Sequence, residues 1–395
     1  MNKVLKRTLP KLAIATCLLG GLGLTAPVAV ANSGDRAPLD SASSIKTPKQ
    51  DAEAAPEPFP SFYSEQLDRQ LLEYVAYINK FGAPDILIVG SSRALWGVDP
   101  IALQKALAKR GYPNFRIYNF GINGATAQVV DVVLRRLLPP EQLPKLIIWA
   151  DGSRAFNSGR RDRTYEKLTV SPGYRLLLSG TRPIPVAPKV VEIQQLCTDF
   201  VEPLLRFTAL LSEIAGVANE PQASSVCEQP KAVLVKAVEP VAPELLESQG
   251  NAGFEPVFKR FNPTTYFQKF PRVAGIYDGD YRAFNLNGRQ TTAFRNTLRH
   301  VRSHKVPVVY VNLPLTRVYL DSARTTYEQQ FSRFMQRFAN YGLLTFYDLR
   351  SQWPTQHHYY VDPSHLNRYG AMAVSQYLGQ RLILPAALEN QRLLF

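Results

Sequence analysis

Asp85-Ile-Leu-Ile-Val-Gly-Ser-Ser-Arg93 (DILIVGSSR) is the stretch that decides how this chain folds. An apolar run this short, ended by a Gly-Ser-Ser turn, fits a strand buried on both faces. Such strands belong to parallel sheets, because half-solvated antiparallel strands alternate apolar with polar. Outward from it the same unit repeats. Asp99–Arg110 reads as a helix with Asp99 at the N-cap and Pro100 just inside the start. Phe115–Phe120 reads as a strand, Thr126–Leu138 as a helix and Lys145–Ala150 as another buried strand. The alternation resumes with helix Arg289–His304, strand Val306–Leu313, helix Thr325–Tyr341, strand Leu343–Leu349 and helix His365–Leu382. A helix from Tyr63, with Leu67, Leu71, Tyr74, Val75 and Ile78 at helical spacing, precedes the first strand. Five strands alternating with helices predict an α/β protein, a three-layer doubly wound sandwich around a five-stranded, mostly parallel sheet.

The flanks read differently. Residues 1–31 carry Lys3, Lys6, Arg7 and Lys11, an apolar run Leu12–Leu24, and Ala29-Val-Ala31. This is the three-part pattern of a secretory signal peptide, with an uncleaved N-terminal anchor as the other reading. It predicts a periplasmic or secreted protein. Residues 32–62, rich in Pro, Ala, Ser and charge, read as a disordered linker. The remainder, 63–395, reads as one domain with an insertion at about 160–285. That insertion is too long for a plain loop and predicts a lid or small subdomain. It holds an apolar helix candidate near Val190–Ile214 and an aromatic cluster of Phe261, Tyr266, Phe267 and Phe270.

The formal net charge is +14. A basic exported protein is steered toward anionic glycans or lipid headgroups, and a plain solubility charge is the other reading. No nucleic-acid motif occurs, and export argues against that partner. Past the leader, Cys197 and Cys227 make an even pair, which predicts a disulfide in an oxidising compartment, or else two buried thiols.

In doubly wound sheets, ligands bind beyond the carboxyl ends of the strands. Three segments fall at that edge. Gly90-Ser91-Ser92 follows the first strand, where it is either a helix N-cap or a hydroxyl presented beside helix-start amides. Tyr118-Asn-Phe-Gly-Ile-Asn-Gly-Ala-Thr126 runs out of the second. Val361-Asp-Pro-Ser-His-Leu-Asn-Arg-Tyr-Gly370 follows the fifth; its Asp362-x-x-His365 is either a turn with a cap or the acid–base half of a triad.

Together, in this order, these blocks resemble the SGNH (GDSL-like) hydrolase superfamily over residues 83–155 and 289–383. They are most similar to a poorly characterised bacterial envelope branch, whose relatives include proteins of alginate acetylation and of D-alanine transfer to teichoic acids. By position, Ser92 matches the family's nucleophile, with Ser91 where Asp usually stands. Gly124 matches the oxyanion glycine, joined there by Ser92. Asp362 and His365 match the closing Asp-x-x-His. The third block departs: in place of Gly-x-Asn-Asp stands Ala150-Asp-Gly-Ser-Arg-Ala-Phe-Asn157. Asn157 is the candidate for the third oxyanion donor, or Arg154 as a cationic substitute, and Asp151 a candidate for contact with a substrate hydroxyl. The resemblance implies an exported serine esterase or O-acyltransferase acting on acyl groups of a cell-envelope polysaccharide, without cofactor or metal. Its partners would be an acylated glycan and a membrane-bound acyl-transfer protein. The alternative is a weak or inactive protein of the same fold that binds glycan or scaffolds an envelope modification or export complex.

Other residues divide between two readings each. Arg93 either binds an anionic substrate group or pairs with the Asp151 region. Arg160-Arg-Asp-Arg163 is a solvated face, or a grip on an acidic glycan at the mouth of the site. His300 and His304, spaced i, i+4, sit among Arg295, Arg299 and Arg302 and read as a basic helix face rather than a metal site. His357 and His358 read as rim or surface, and Trp96 and Trp149 as core.

Overall fold

All five expected strands form: β1 (Ile86–Gly90), β2 (Ile117–Gly121), β3 (Leu146–Asp151), β4 (Val308–Asn312) and β5 (Thr345–Asp348). They form one sheet in the order β2-β1-β3-β4-β5, and every neighbouring pair is parallel. The structure is a computed structural model that describes residues 59–184, 250–273 and 279–389. The leader 1–31, residues 32–58 of the linker, the helix candidate near 190–214 and the proposed Cys197–Cys227 pair lie outside the described residues.

Strand side chains alternate between faces, and the sheet uses both. Leu87, Val89, Ile147, Trp149, Val308 and Tyr310 enter one buried cluster. Ile86, Ile88, Leu146, Ile148, Val309 and Val311 enter the other. The first cluster is closed by α1 (Glu65–Phe81) and α4 (Ala127–Val132), and by the longer helices 289–303 and 322–340. The second is closed by α2 (Ser92–Gly97), α3 (Pro100–Ala108) and the helix 368–381. This is why β1, β3 and β4 read as nearly continuous apolar runs, whereas β5, at an edge, is only partly buried. β2 stands at an edge but is buried, because the Asn119 amide donates to the Ala252 carbonyl at 2.9 Å and Gln70 caps the Asn119 carbonyl. An edge paired in this way offers no free ladder to another chain.

Several boundaries move, each for a local reason. The linker ends before residue 62: Phe62 is buried against Phe59, and its amide donates to Asp68. The helix expected over 126–138 is α-helical only through α4, and Val133–Leu137 widen into a π-helical turn. The Leu138 amide reaches back to Val133, and Pro139 stops further winding. Within 160–285, the described helices α5 (Arg163–Thr169) and α6 (Pro172–Leu178) bury Leu168, Tyr174 and Leu177 in the first core cluster. Further along come α7 (Pro263–Lys269), α8 (Arg289–Ser303) and α9 (Ser322–Asn340).

The helix expected to begin at His365 starts later, as α10 (Arg368–Arg381). Asn367, fully buried, caps it by accepting from the Tyr369 and Gly370 amides and donates to the Lys259, His358 and Tyr360 carbonyls. His365–Leu366 (β7) instead pair antiparallel with Tyr360–Asp362 (β6). His365 therefore sits on a small pinned hairpin, a firmer mount than a frayed first helical turn.

Candidate active site

In this strand order the chain changes direction between β1 and β3, and the site lies beyond their carboxyl ends. Gly90 makes the exit from β1 possible. Its φ is +147°, and a Cβ there would stand 2.1 Å from the Ala150 carbonyl oxygen. Ser91 is the N-cap of α2, accepting from the Arg93 amide at 3.2 Å. Its hydroxyl and its amide each donate to Asp151, both at 2.9 Å, and the Gly152 amide adds a third bond at 2.9 Å. Asp151, buried at the tip of β3, therefore ties the β1–α2 turn down. Burial pushes its carboxyl above the usual range, opposed by the Arg93 guanidinium and by these hydrogen bonds.

The next residue, Ser92, is half-buried and turned the other way. Its hydroxyl lies 3.0 Å from His365 Nε2, across 273 residues of sequence. His365 Nδ1 lies 2.8 Å from Asp362 Oδ2. The other carboxylate oxygen, Oδ1, accepts from the Ser364 amide at 2.7 Å and the His365 amide at 3.0 Å. Asp362 thus serves both readings of its motif: one oxygen closes the turn and the other orients the ring. With a proton on Nδ1 facing the carboxylate, the Nε2 lone pair faces the Ser92 hydroxyl. Burial pulls the His365 pKa below its ordinary 6.5; Asp362 opposes this, while Arg154 and Arg93 add to it. The ring is neutral at pH 7 and able to accept a proton.

Ser92, Gly124, Arg154 and His365 line one cleft of about 720 Å³. In the turn that carries Gly124 the neighbouring amides are engaged: Ile122 donates to Gly90, Asn123 to Gln66 and Ala125 to Ile122. Among the described residues, the Ser92 and Gly124 amides have no such acceptor. An amide pair beside a hydroxyl–imidazole–carboxylate chain fits an oxyanion forming at a carbonyl attacked by that hydroxyl. Asn119 supports this edge from below, accepting from the Gly121 amide and donating to the Ala94 and Val98 carbonyls at the end of α2.

Two expected site residues are placed elsewhere. Asn157 donates to the Asp280 and Arg282 carbonyls at 2.8 and 3.0 Å, and it accepts from the Gly159 and Asn285 amides at 3.0 and 2.9 Å. The amide is spent on fastening two backbone segments and is absent from the cleft wall. It is not an oxyanion donor in this arrangement. Arg93 is also no substrate contact. It is buried, and it donates to the Leu313 and Pro314 carbonyls at 2.5 and 3.2 Å beneath the sheet edge. Asp151 borders the cleft, but its carboxylate is consumed by the turn.

Arg154 remains on the cleft wall. It reaches Asp280 at 3.4 Å and the Ser364 hydroxyl at 3.5 Å, with its guanidinium 5.8 Å from the Tyr319 ring centroid. Trp96, expected in the core, instead lines the cleft with its ring 5.2 Å from the His365 ring, anchored by Glu255 at 3.2 Å. The signal was present in the sequence: Trp96 lies four residues after Ser92 on one helix, so the two share a face. Asp280 had no such signal, since only tertiary contact brings it to Arg154 and Arg160. Trp149 is buried as expected, and the 160–163 run reaches the cleft mouth, where Arg160 pairs with Asp280 and Arg161 with Glu166.

Neither a scan against protein-family models nor a comparison with curated proteins gives a match to this chain.

Proposed function

We propose that this chain is an SGNH-like serine esterase or O-acyltransferase, exported to the periplasm or beyond, that acts on acyl groups of a cell-envelope polysaccharide. The observation that carries the reading is the continuous Ser92–His365–Asp362 chain, at 3.0 and 2.8 Å, opening on a cleft. In the proposed reaction His365 Nε2 takes the Ser92 proton as Oγ attacks the acyl carbonyl. The tetrahedral oxyanion is held by the Ser92 and Gly124 amides. Collapse releases the alcohol, which takes its proton from His365, and leaves an acyl group on Ser92. Water or a second hydroxyl, deprotonated by His365, then attacks the acyl-serine and frees the enzyme. Asp362 orients the ring and stabilises the imidazolium throughout.

The test uses a fluorophosphonate probe and an aryl acetate, with Ser92→Ala beside the parent. Labelling and turnover that vanish in the variant support the reading. A folded parent that shows neither leaves the second reading, a glycan-binding or scaffolding protein of the same fold. The observation favouring that alternative is the engaged Asn157, which leaves the third block without its usual amide donor.

A further inference from the structure

The segment 256–273 combines two features that occur together nowhere else among the described residues. Phe258, Phe267 and Phe270 are 62%, 37% and 49% exposed, and no other phenylalanine there is exposed. The segment also contains Lys259, Arg260, Lys269 and Arg272 and not one Asp or Glu. Arg368 joins it, with its guanidinium 4.7 Å from the Phe258 ring centroid. Arg260 lies 4.6 Å from the Tyr369 ring. Tyr266 links Phe261, Phe267 and Phe270, with ring centroids 5.1–5.5 Å apart. The segment is bound firmly to the body: Phe261 donates its amide to Tyr360, Arg368 donates to Val257, and the Asn367 side chain holds Lys259.

Leaving three phenyl rings partly in water is unfavourable, and exposed apolar rings set among Lys and Arg in a segment without Asp or Glu mark an interaction site. The rings carry no hydroxyl or N–H, so they cannot pair with sugar hydroxyls as Tyr or Trp would. Rings that enter an acyl layer while Lys and Arg stems reach up to phosphates match a membrane interface. No helix among the described residues is long and apolar enough to cross a membrane. The geometry points to reversible docking of residues 258–272 on an anionic lipid surface, a role separate from the chemistry at Ser92. The patch is hydrogen-bonded to the hairpin that carries His365, so docking would hold the cleft's hairpin at the bilayer surface.

Flotation with phosphatidylcholine vesicles, with and without phosphatidylglycerol, tests this. The chain is used from Asn32 onward, which keeps the compact unit Pro58–Phe395 whole and removes the apolar leader from the experiment. The protein is expected to float with the anionic vesicles, at least about tenfold better than with neutral ones, and to be released by salt. Phe258→Ser/Phe267→Ser/Phe270→Ser and, separately, Lys269→Glu/Arg272→Glu should each lower binding by about tenfold or more. Hydrolysis of a small soluble aryl ester should not change in either variant. The charge-reversal pair lies at exposed positions, so it reports even where the triple variant folds poorly. No flotation of the parent, flotation of both variants equal to the parent's, or retention on an acidic polysaccharide gel in place of vesicles would each overturn the inference.

Discussion

Asp362 grips His365 with both carboxylate oxygens, one on the ring nitrogen and one on the backbone amide. Asp362→Asn and Asp362→Ala should therefore separate. The Asn variant keeps an oxygen for the turn but presents an N–H to Nδ1, which turns the ring to the wrong tautomer. Turnover should fall about 10²–10⁴-fold with little change in melting temperature. The Ala variant loses the turn as well and should be less stable by about 1–2 kcal/mol. Steady-state kinetics with thermal melts on both proteins checks the split.

The pH profile follows from His365. Its folded pKa lies below 6.5, held down first by burial and also by Arg154 and Arg93. The acid limb of kcat/KM should fall below pH 6.5, with a plateau through neutrality. Arg154→Gln removes one of the lowering charges and should move the limb upward, toward 6.5. A limb that moves down, or stays, contradicts the assignment. Stability follows the same sign: the contribution is complete above the unfolded pKa and is lost as pH falls through the folded one.

Asn157→Ala distinguishes fastening from catalysis. Removing the amide strands the Gly159 and Asn285 N–H groups and two carbonyls, and should cost about 2–4 kcal/mol. For the fraction that remains folded, kcat/KM should stay within about threefold of the parent. A loss in kcat of a hundredfold or so, at unchanged stability, would return Asn157 to the oxyanion site.

Gly152→Ala tests the buried cation under the site. A Cβ there would stand 1.8 Å from Arg93 Nη1, so the guanidinium must leave the Leu313 and Pro314 carbonyls. Displacing a buried, hydrogen-bonded charge should cost about 3–5 kcal/mol, read as a large drop in melting temperature. If Arg93→Met recovers part of that loss in the Gly152→Ala background, the clash with the guanidinium is its source.

The strands were legible because their signal is local. Ile86–Val89 and Val308–Val311 are apolar on both faces, and burial on both faces is what the parallel sheet then imposes. The helix start at Asp99 was equally local, since a cap bonds only the next few amides. The beginning of α10 was misplaced because apolar periodicity cannot see the Asn367 side chain bonding the Lys259, His358 and Tyr360 carbonyls and pinning the chain before it winds.

Sequence by itself determined which residues carry usable chemistry: a hydroxyl at 92, an imidazole at 365 and a carboxylate three residues before it. It also determined that they fall at strand ends, because period and turn residues are read within a few positions. Only the tertiary structure decided where those groups point. Ser91 and Ser92 are chemically alike, yet one is bonded to Asp151 and the other faces His365. Asn157 and Arg93 have the right chemistry for a site and are spent on backbone carbonyls instead. Side-chain direction depends on contacts between segments distant in sequence, and no local pattern encodes them.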